Sequence, residues 1–487
     1  MSEANTTIPG AGISAYDSAG SSPNRSSFVA FPGNSRRELT PTNRRELVRK
    51  CRALEANCPF FTRIVRKYAR HAVGSGIHFR ILSEDEAFND AARRDVEEWW
   101  NNPGTYSIDG SLDGWTAKRL AVETMILDGE FNAVFTKSND WPMIQPLDVF
   151  EIETPPLRAG EFQRDWDDGI RINEFERPLD YAIRSLPRLT GDAYDRAYTY
   201  VPAASMVHIM RRRRIRGHRG IPWAYSGLNK GIDALDLAAL CTGTAKLHSA
   251  LAVTVKKTGR KGKRGAIGKI VDGSGGADPT DTTALEKVYG SMINYVGENG
   301  EIDLKSSSHP TVNLMEFIKM LFAEFSQGFD VPTSVMWSLS ETGGTAVRSD
   351  MEDAQSAFDL VTDTIVWHFV RREVIWKISL AIKSGRLAPP KDPYWYSKMV
   401  FRGPRKLTVD VGRMASAFKT LTRNAGMSIP RFLEEQGFDA YEEARDNHKF
   451  LKYIKTLYES TDVPVEWVYE PTPGTVNNFN AAPDHNA

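Results

Sequence analysis

The chain is short of cysteine, of net charge and of uninterrupted apolar sequence, and each shortage closes a class of function. Three cysteines, Cys51, Cys58 and Cys241, cannot build a disulfide framework, and the Cys51-to-Cys58 spacing does not suit a zinc knuckle. Cys51 and Cys241 fall on apolar helical faces, so the thiols read as small buried side chains in a reducing compartment. Lys+Arg and Asp+Glu both number 62, giving a formal charge of +0. Affinity for a polyanion comes from neutralising phosphates, so a protein that clamps nucleic acid over its whole surface is excluded and any such contact has to be local. Every apolar run meets a charge before it reaches bilayer-spanning length, and no basic-then-apolar signal peptide opens the chain. The expectation is a protein neither exported through a signal nor embedded in a membrane.

Motifs that carry chemistry are equally scarce. The nine histidines show no H-E-x-x-H and no paired spacing with carboxylates, so no metal and no cofactor is expected. Gly343-Gly344-Thr345 lacks the lysine of a P-loop, and Gly273-Ser274-Gly275-Gly276 does not follow a convincing strand. There is no nucleophile elbow, and the acidic pairs do not resolve into a general acid/base dyad. Nothing here supports an enzyme.

What is present is a large folded protein of 487 residues with 41% hydrophobic side chains, enough for about three domains. Residues 1 to 40 open with a Ser/Gly/Asn/Thr/Pro-rich stretch that lacks the apolar surface to offset chain entropy, and the Pro- and Asn-rich residues 471 to 487 read as a loose tail. Helical spacing begins after Pro41 (Leu47, Cys51, Leu54) and resumes after Pro59 (Phe61, Ile64, Val65, Tyr68, Ala72). Alternating Ile77, Phe79 and Ile81 predict a strand, and helices ending near Trp100 and Leu127 precede a β-rich stretch over 141 to 210. The first part of the chain is therefore expected to be mixed α+β. Beyond residue 222 long helices are expected over 228 to 251, 313 to 329 and 347 to 382, with a Lys/Gly loop and a small β-like segment near 292 to 305 after the first. Shorter helices follow over 411 to 422 and 430 to 435.

Charge clustering rises above this background. Arg211, Arg212, Arg213, Arg214, Arg216 and Arg219 fall within nine residues without an acid, and Lys256, Lys257, Arg260, Lys261, Lys263, Arg264 and Lys269 fall within fourteen. Both clusters could meet phosphate. The plainer reading pairs the arginines with acids of a neighbouring segment or subunit and leaves the lysines solvated.

His208-Ile209-Met210, the arginine run and Arg219-Gly220-Ile221-Pro222-Trp223 together resemble the H-x-x…R-G-x-P signature ahead of the long helix in the lambda-like portal proteins of tailed bacteriophages. Asn57 to Gly76, Leu127-Asp128-Gly129-Glu130, Gln145-Pro146-Leu147-Asp148 and Gly169 to Tyr181 agree in order, as do Glu298 to Glu301, Pro310, Phe317, Val331-Pro332, Asp410 to Ala417 and Gly437-Phe438-Asp439. The likeness spans residues 40 to 446. Gly343 to Ser349 and Asp410-Val411-Gly412 depart from the family's pattern.

The resemblance implies an α+β portal-type fold with an α/β wing (41–225), a long-helix stem (226–251 and 313–329), a small α/β clip (252–312), a tunnel loop (330–346) and a helical wing and crown region (347–470). It implies a homo-oligomeric ring, commonly a dodecamer, at one capsid vertex of the virion and assembled in the host cytoplasm, through which double-stranded DNA is packaged and ejected. The terminase large subunit, head-tail connector or adaptor proteins and the major capsid protein would be its partners. Val331, Pro332, Thr333, Ser334, Glu341, Thr342, Gly343, Gly344 and Thr345 would form the tunnel loop. The Lys256 to Lys269 cluster would touch DNA or the motor. The six arginines from Arg211 to Arg219 are candidates for the heterologous interface that closes a ring, because unbalanced charge in a neutral chain needs partners. Two rival readings also fit the composition: a capsid-associated scaffolding protein without a ring, and a nucleic-acid-processing enzyme.

Overall fold

Prolines open the first two helices, where a missing N–H costs nothing. Pro41 starts α1 (Pro41–Asn57), with the Thr40 hydroxyl accepting from the Asn43 amide, and Pro59 starts α2 (Pro59–Ala72), which buries Phe61, Ile64, Val65 and Tyr68 along one stripe. The computed structural model describes residues 38–459 apart from 75, 139–140, 158–161, 185–197, 252–284, 289–290, 295–311, 337–343, 405, 407–410, 424–425, 437 and 439. The N-terminal stretch, the Lys256 to Lys269 cluster, Glu341, Thr342, Gly343 and the C-terminal tail lie outside the described residues.

Strand β1 (His78–Ile81) leads to α3 (Glu86–Trp100) and α4 (Gly114–Leu127). Asp113 caps α4, its carboxylate accepting from the Trp115 and Thr116 amides at 2.8 Å each, an arrangement that contributes about 1 kcal/mol. The β-rich stretch then supplies β2 (Glu130–Ser138), β3 (Trp141–Leu147), β4 (Trp166–Asp167), β5 (Ile170–Ile172), β6 (Pro178–Arg184), β7 (Tyr198–Pro202) and β8 (Met206–Met210). These form two antiparallel sheets ordered β3-β2-β8 and β4-β5-β6-β7.

Helix α5 (Leu228–Leu251) follows, then a paired β9 (Leu285–Val288) and β10 (Ser291–Asn294), and α6 (Val312–Gln327). The first turns of α5 pack on the end of α6: Gly227 and Gly231 leave room for the Phe325 ring, and Lys230 pairs with Glu324 at 3.2 Å. Phe325 is fully buried, which stabilises the packing by about 1.5–3 kcal/mol. The same ring meets Phe61 of α2 edge-on at 5.4 Å, so the long helices grow from the core of the first part of the chain.

The third long helix comprises α7 (Gly344–Ile365), a π-helical turn over Val366–Val370 and α8 (Arg371–Lys383). It crosses α2 and α4 and brings Phe358, Phe369 and Val374 into the main core. Strand β11 (Met399–Arg402) closes back on β1, and α9 (Val411–Arg423), α10 (Ile429–Glu435) and α11 (Ala440–Glu459) follow. The architecture is mixed α+β, as the sequence implies. Unanticipated is β11, too short to show alternation; α11 falls in the region that the resemblance alone implied to be helical. Cys58 is also buried, alongside Cys51, and burial followed by the Asp128 charge pushes the Cys51 thiol up to about 12.

Candidate functional site

Two of the stretches that carry the family resemblance meet in space. The turn Asp128-Gly129-Glu130 joins α4 to β2, and Gly220-Ile221 passes directly over it. Gly129 has φ +89°, and a Cβ on Gly220 would collide with the Gly129 carbonyl, so both positions require glycine. This close approach delivers Arg219 to Glu130.

Arg219, one of the six interface candidates, is corrected by the structure: its side chain is 3% exposed and turned into its own subunit. Its Nε donates to Glu130 Oε1 at 3.0 Å, its Nη1 to the Ile152 carbonyl at 3.3 Å and its Nη2 to the Val149 carbonyl at 3.2 Å. Arg44 lies on the other side, donating from Nε to Asp168 at 2.6 Å, and His208 Nε2 sits 3.2 Å from Glu130 Oε2. The Gly220 amide donates to the same oxygen at 2.7 Å. Burial works against the Glu130 carboxylate, but Arg219, His208 and Arg44 outweigh it and hold the group well below the ordinary carboxylate value. The arrangement is a buried structural ion-pair network, assembled from α1, β2, β8 and the turn around Arg219-Gly220, in which, among the described residues, Arg44 Nη1 and Nη2 make no hydrogen bond and Nη1 lies 4.0 Å from Glu130 Oε1.

The other five arginines lie on the surface. Arg211 pairs with Asp330 and stacks over Trp223 at 5.1 Å; Arg213 and Arg214 converge on Glu38, with Arg214 Nε 3.0 Å from it; Arg216 reaches Glu176 at 3.5 Å; Arg212 donates to the Ile215 carbonyl at 3.4 Å. Acids of neighbouring segments of the same chain therefore meet four of them.

Asp330 ties the arginine run to the expected tunnel loop. It adopts the left-handed conformation, φ +56°, just after α6 and directly before Val331-Pro332. Val331 is buried, and Thr333 and Ser334 open a helical turn, Thr333–Met336, in place of extended loop. The Ser326 hydroxyl meets Thr333 at 2.8 Å, Ser334 donates to Asp350 of α7, and Tyr68 and Lys67 of α2 donate to the carbonyls of Phe329 and Val335. Gly344 and Thr345 are not loop either: they form the exposed first turn of α7.

A cavity of about 450 Å³ opens between β8, the arginine run and the π-helical turn, lined among others by His208, Met210, Arg212, His218, Trp223 and His368. His218 is fixed by Asp167 at 2.7 Å and the Glu176 carbonyl at 2.8 Å. Desolvation of the ring, followed by the charges of Arg372, Arg212 and His208, holds His368 below the usual histidine value. Among the described residues no cluster of His, Cys, Asp and Glu could hold a metal ion, and no helix is long and apolar enough to cross a membrane.

No curated protein matches the chain. Among solved structures it is similar to chains from the neck of an empty GTA particle computed with C6 symmetry (13% identity, TM-score 0.40), a virion of a native gene transfer agent particle (14%, 0.36) and the neck of a native GTA particle computed with C12 symmetry (13%, 0.35). Each alignment covers 82% of this chain and 94% of the other. The family model described as phage portal protein, lambda family, matches residues 23–360, a span that contains the Gly129–Gly220 crossing, the arginine run, α5, α6 and the Val331 segment. The chain belongs to the lambda family of phage portal proteins.

Proposed function

We propose that this chain is the subunit of a closed ring at one capsid vertex, a conduit through which double-stranded DNA is packaged and later released, and that its role is structural rather than catalytic. Membership of the portal family over residues 23–360 carries the reading. In the family's terms residues 41–225 are the wing, 226–251 and 313–329 the stem, 252–312 the clip, 330–346 the tunnel loop, and 347–470 the wing and crown. Packing of α5 on α6, with residues 252–311 between them in sequence, agrees with a stem and clip. A formal charge of +0 agrees with a conduit, because a bore that neutralised many phosphates would hold the duplex still.

Ring closure needs a heterologous interface. The exposed Arg211, Arg212, Arg213, Arg214 and Arg216 would lie on one side of it, with Arg212 the one that makes no ion pair to its own chain among those described above. The clip cluster, Lys256 to Lys269, would contact DNA or the terminase large subunit, and the two ends of the ring and its rim would dock the head-tail connector and the major capsid protein. Light scattering of the purified chain tests the reading: a discrete species at a large integer multiple of 54.5 kDa is expected, and a monomer or dimer under every condition contradicts it.

A further inference from the structure

The cavity between β8, the arginine run and the π-helical turn has no part in the ring reading. Its volume, about 450 Å³, falls within the range of about 300–1,000 Å³ that small-molecule sites occupy. One side is apolar, built from Met125 of α4, Tyr181 of β6, Met210 of β8, Trp223, and Leu360 and Val361 of α7. Met125, Tyr181, Trp223 and Val361 are each more than nine-tenths buried, so the chamber is built into the core and is not a crease of the surface.

Positive charge gathers on the other side. Arg211 and Arg212 both line the cavity. Arg211 is paired with Asp330, but Arg212 makes no ion pair among the described residues, its Nη1 donating to the Ile215 carbonyl at 3.4 Å. Two of the three lining histidines are committed: His208 lies between the Tyr181 hydroxyl, at 3.1 Å, and Glu130, and His218 is held by Asp167 and the Glu176 carbonyl. His368 makes no hydrogen bond among the described residues. It sits on the π-helical turn Val366–Val370, a rare insertion of a kind that recurs at functional sites. After desolvation, the groups that hold its affinity for a proton down are Arg372, Arg212 and His208. Arg372 donates to the Met206 and Ala204 carbonyls at 2.7 and 2.9 Å and meets no carboxylate among the described residues. The nearby acids are engaged elsewhere, Asp330 with Arg211, Asp167 with His218, and Glu130 with Arg219 and His208.

We infer that this cavity binds a small amphipathic anion, an apolar body carrying one carboxylate or phosphoryl group, with the body between Tyr181, Trp223 and Val361 and the anionic group toward Arg212 and His368. Removal of apolar surface from water drives entry, and charge-assisted hydrogen bonds from Arg212 fix the orientation. The inference does not depend on ring closure.

The test is a fluorescence titration of the full chain with anilinonaphthalene sulfonate, an aromatic body bearing one anionic group, followed by displacement with decanoate and with decanol, which has the same chain length but no charge. Saturable binding of one dye per subunit is expected, with decanoate displacing it at a lower concentration than decanol. Arg212→Gln, a change at the exposed rim, should weaken dye and decanoate about tenfold and leave decanol unmoved. Ala357→Phe, which puts a ring into the chamber, should abolish binding of all three, with circular dichroism as the check on folding. Each titration is made on assembled and on dissociated chain, so that a change in assembly is not read as a change in binding. Dye binding that neither variant moves overturns the inference, as does decanol displacing the dye as well as decanoate. A chamber that takes the dye in the dissociated chain and excludes it in the ring also overturns it, and assigns the space to a side chain of the neighbouring subunit.

Discussion

Arg219 and Glu130 stand 89 residues apart in sequence and form a fully buried ion pair at the point where Gly220 crosses Gly129. The pair ties the sheet β3-β2-β8 to the chain that leads into α5. Removing Glu130 would leave Arg219 and Arg44, both buried, to share the single carboxylate of Asp168, the costly case of uncompensated buried charge.

Glu130→Gln is therefore expected to destabilise the subunit by about 3–5 kcal/mol, read from denaturant unfolding. The pH dependence has a definite sign. A carboxylate held below its unfolded value contributes stability that is complete above that value, about 4.3, and is lost as pH falls through the folded value beneath it. The gap between wild type and variant should hold from neutral pH to about 5 and close only in stronger acid; a gap that closes near neutrality contradicts the assignment.

Lys118 and Glu373 form a second buried pair, 2.8 Å apart and both fully inaccessible, with Tyr106 donating to the carboxylate at 2.8 Å and Lys118 Nζ 3.9 Å from the Trp100 ring centroid. Burial moves both groups toward neutrality, Lys118 down and Glu373 up, against the pull of each partner. Lys118→Met alone should cost about 3–5 kcal/mol, and adding Glu373→Leu should recover about 2 of it. Additive losses would show that the pair is not coupled.

Gly220→Ala should destabilise by about 3 kcal/mol or more, because the methyl group would collide with the Gly129 carbonyl group and Glu130 Cβ, neither of which is the far end of a flexible side chain. Gly243→Ala, on α5 with open space around it, serves as the control and should be neutral or slightly stabilising, by up to about 1 kcal/mol.

Much of this was legible in the sequence. Apolar spacing places α5 over Leu228–Leu251 and predicts the long helix through Phe358 and Phe369, because helical period and length are local properties. The role of Arg219 was not: its neighbours in sequence are exposed arginines, and only the crossing of two glycine turns far apart in the chain decides that this one turns inward. The helical turn at Thr333–Met336 escaped for a similar reason, since Pro332 reads as a stop until Ser326, Tyr68 and Asp350 are seen to hold the residues around it.

Arg212→Glu is expected to reduce ring assembly while leaving subunit unfolding within about 0.5 kcal/mol, since the residue is exposed. Size-exclusion profiles and unfolding curves on the same preparation separate the two effects; unchanged assembly would remove Arg212 from the interface.

Images of the negatively stained, purified protein test the central claim most directly. The account predicts closed rings of uniform subunit number with a bore that admits a B-form duplex. Isolated particles without rotational symmetry in every buffer, or rings whose bore is too narrow for the duplex, would contradict it.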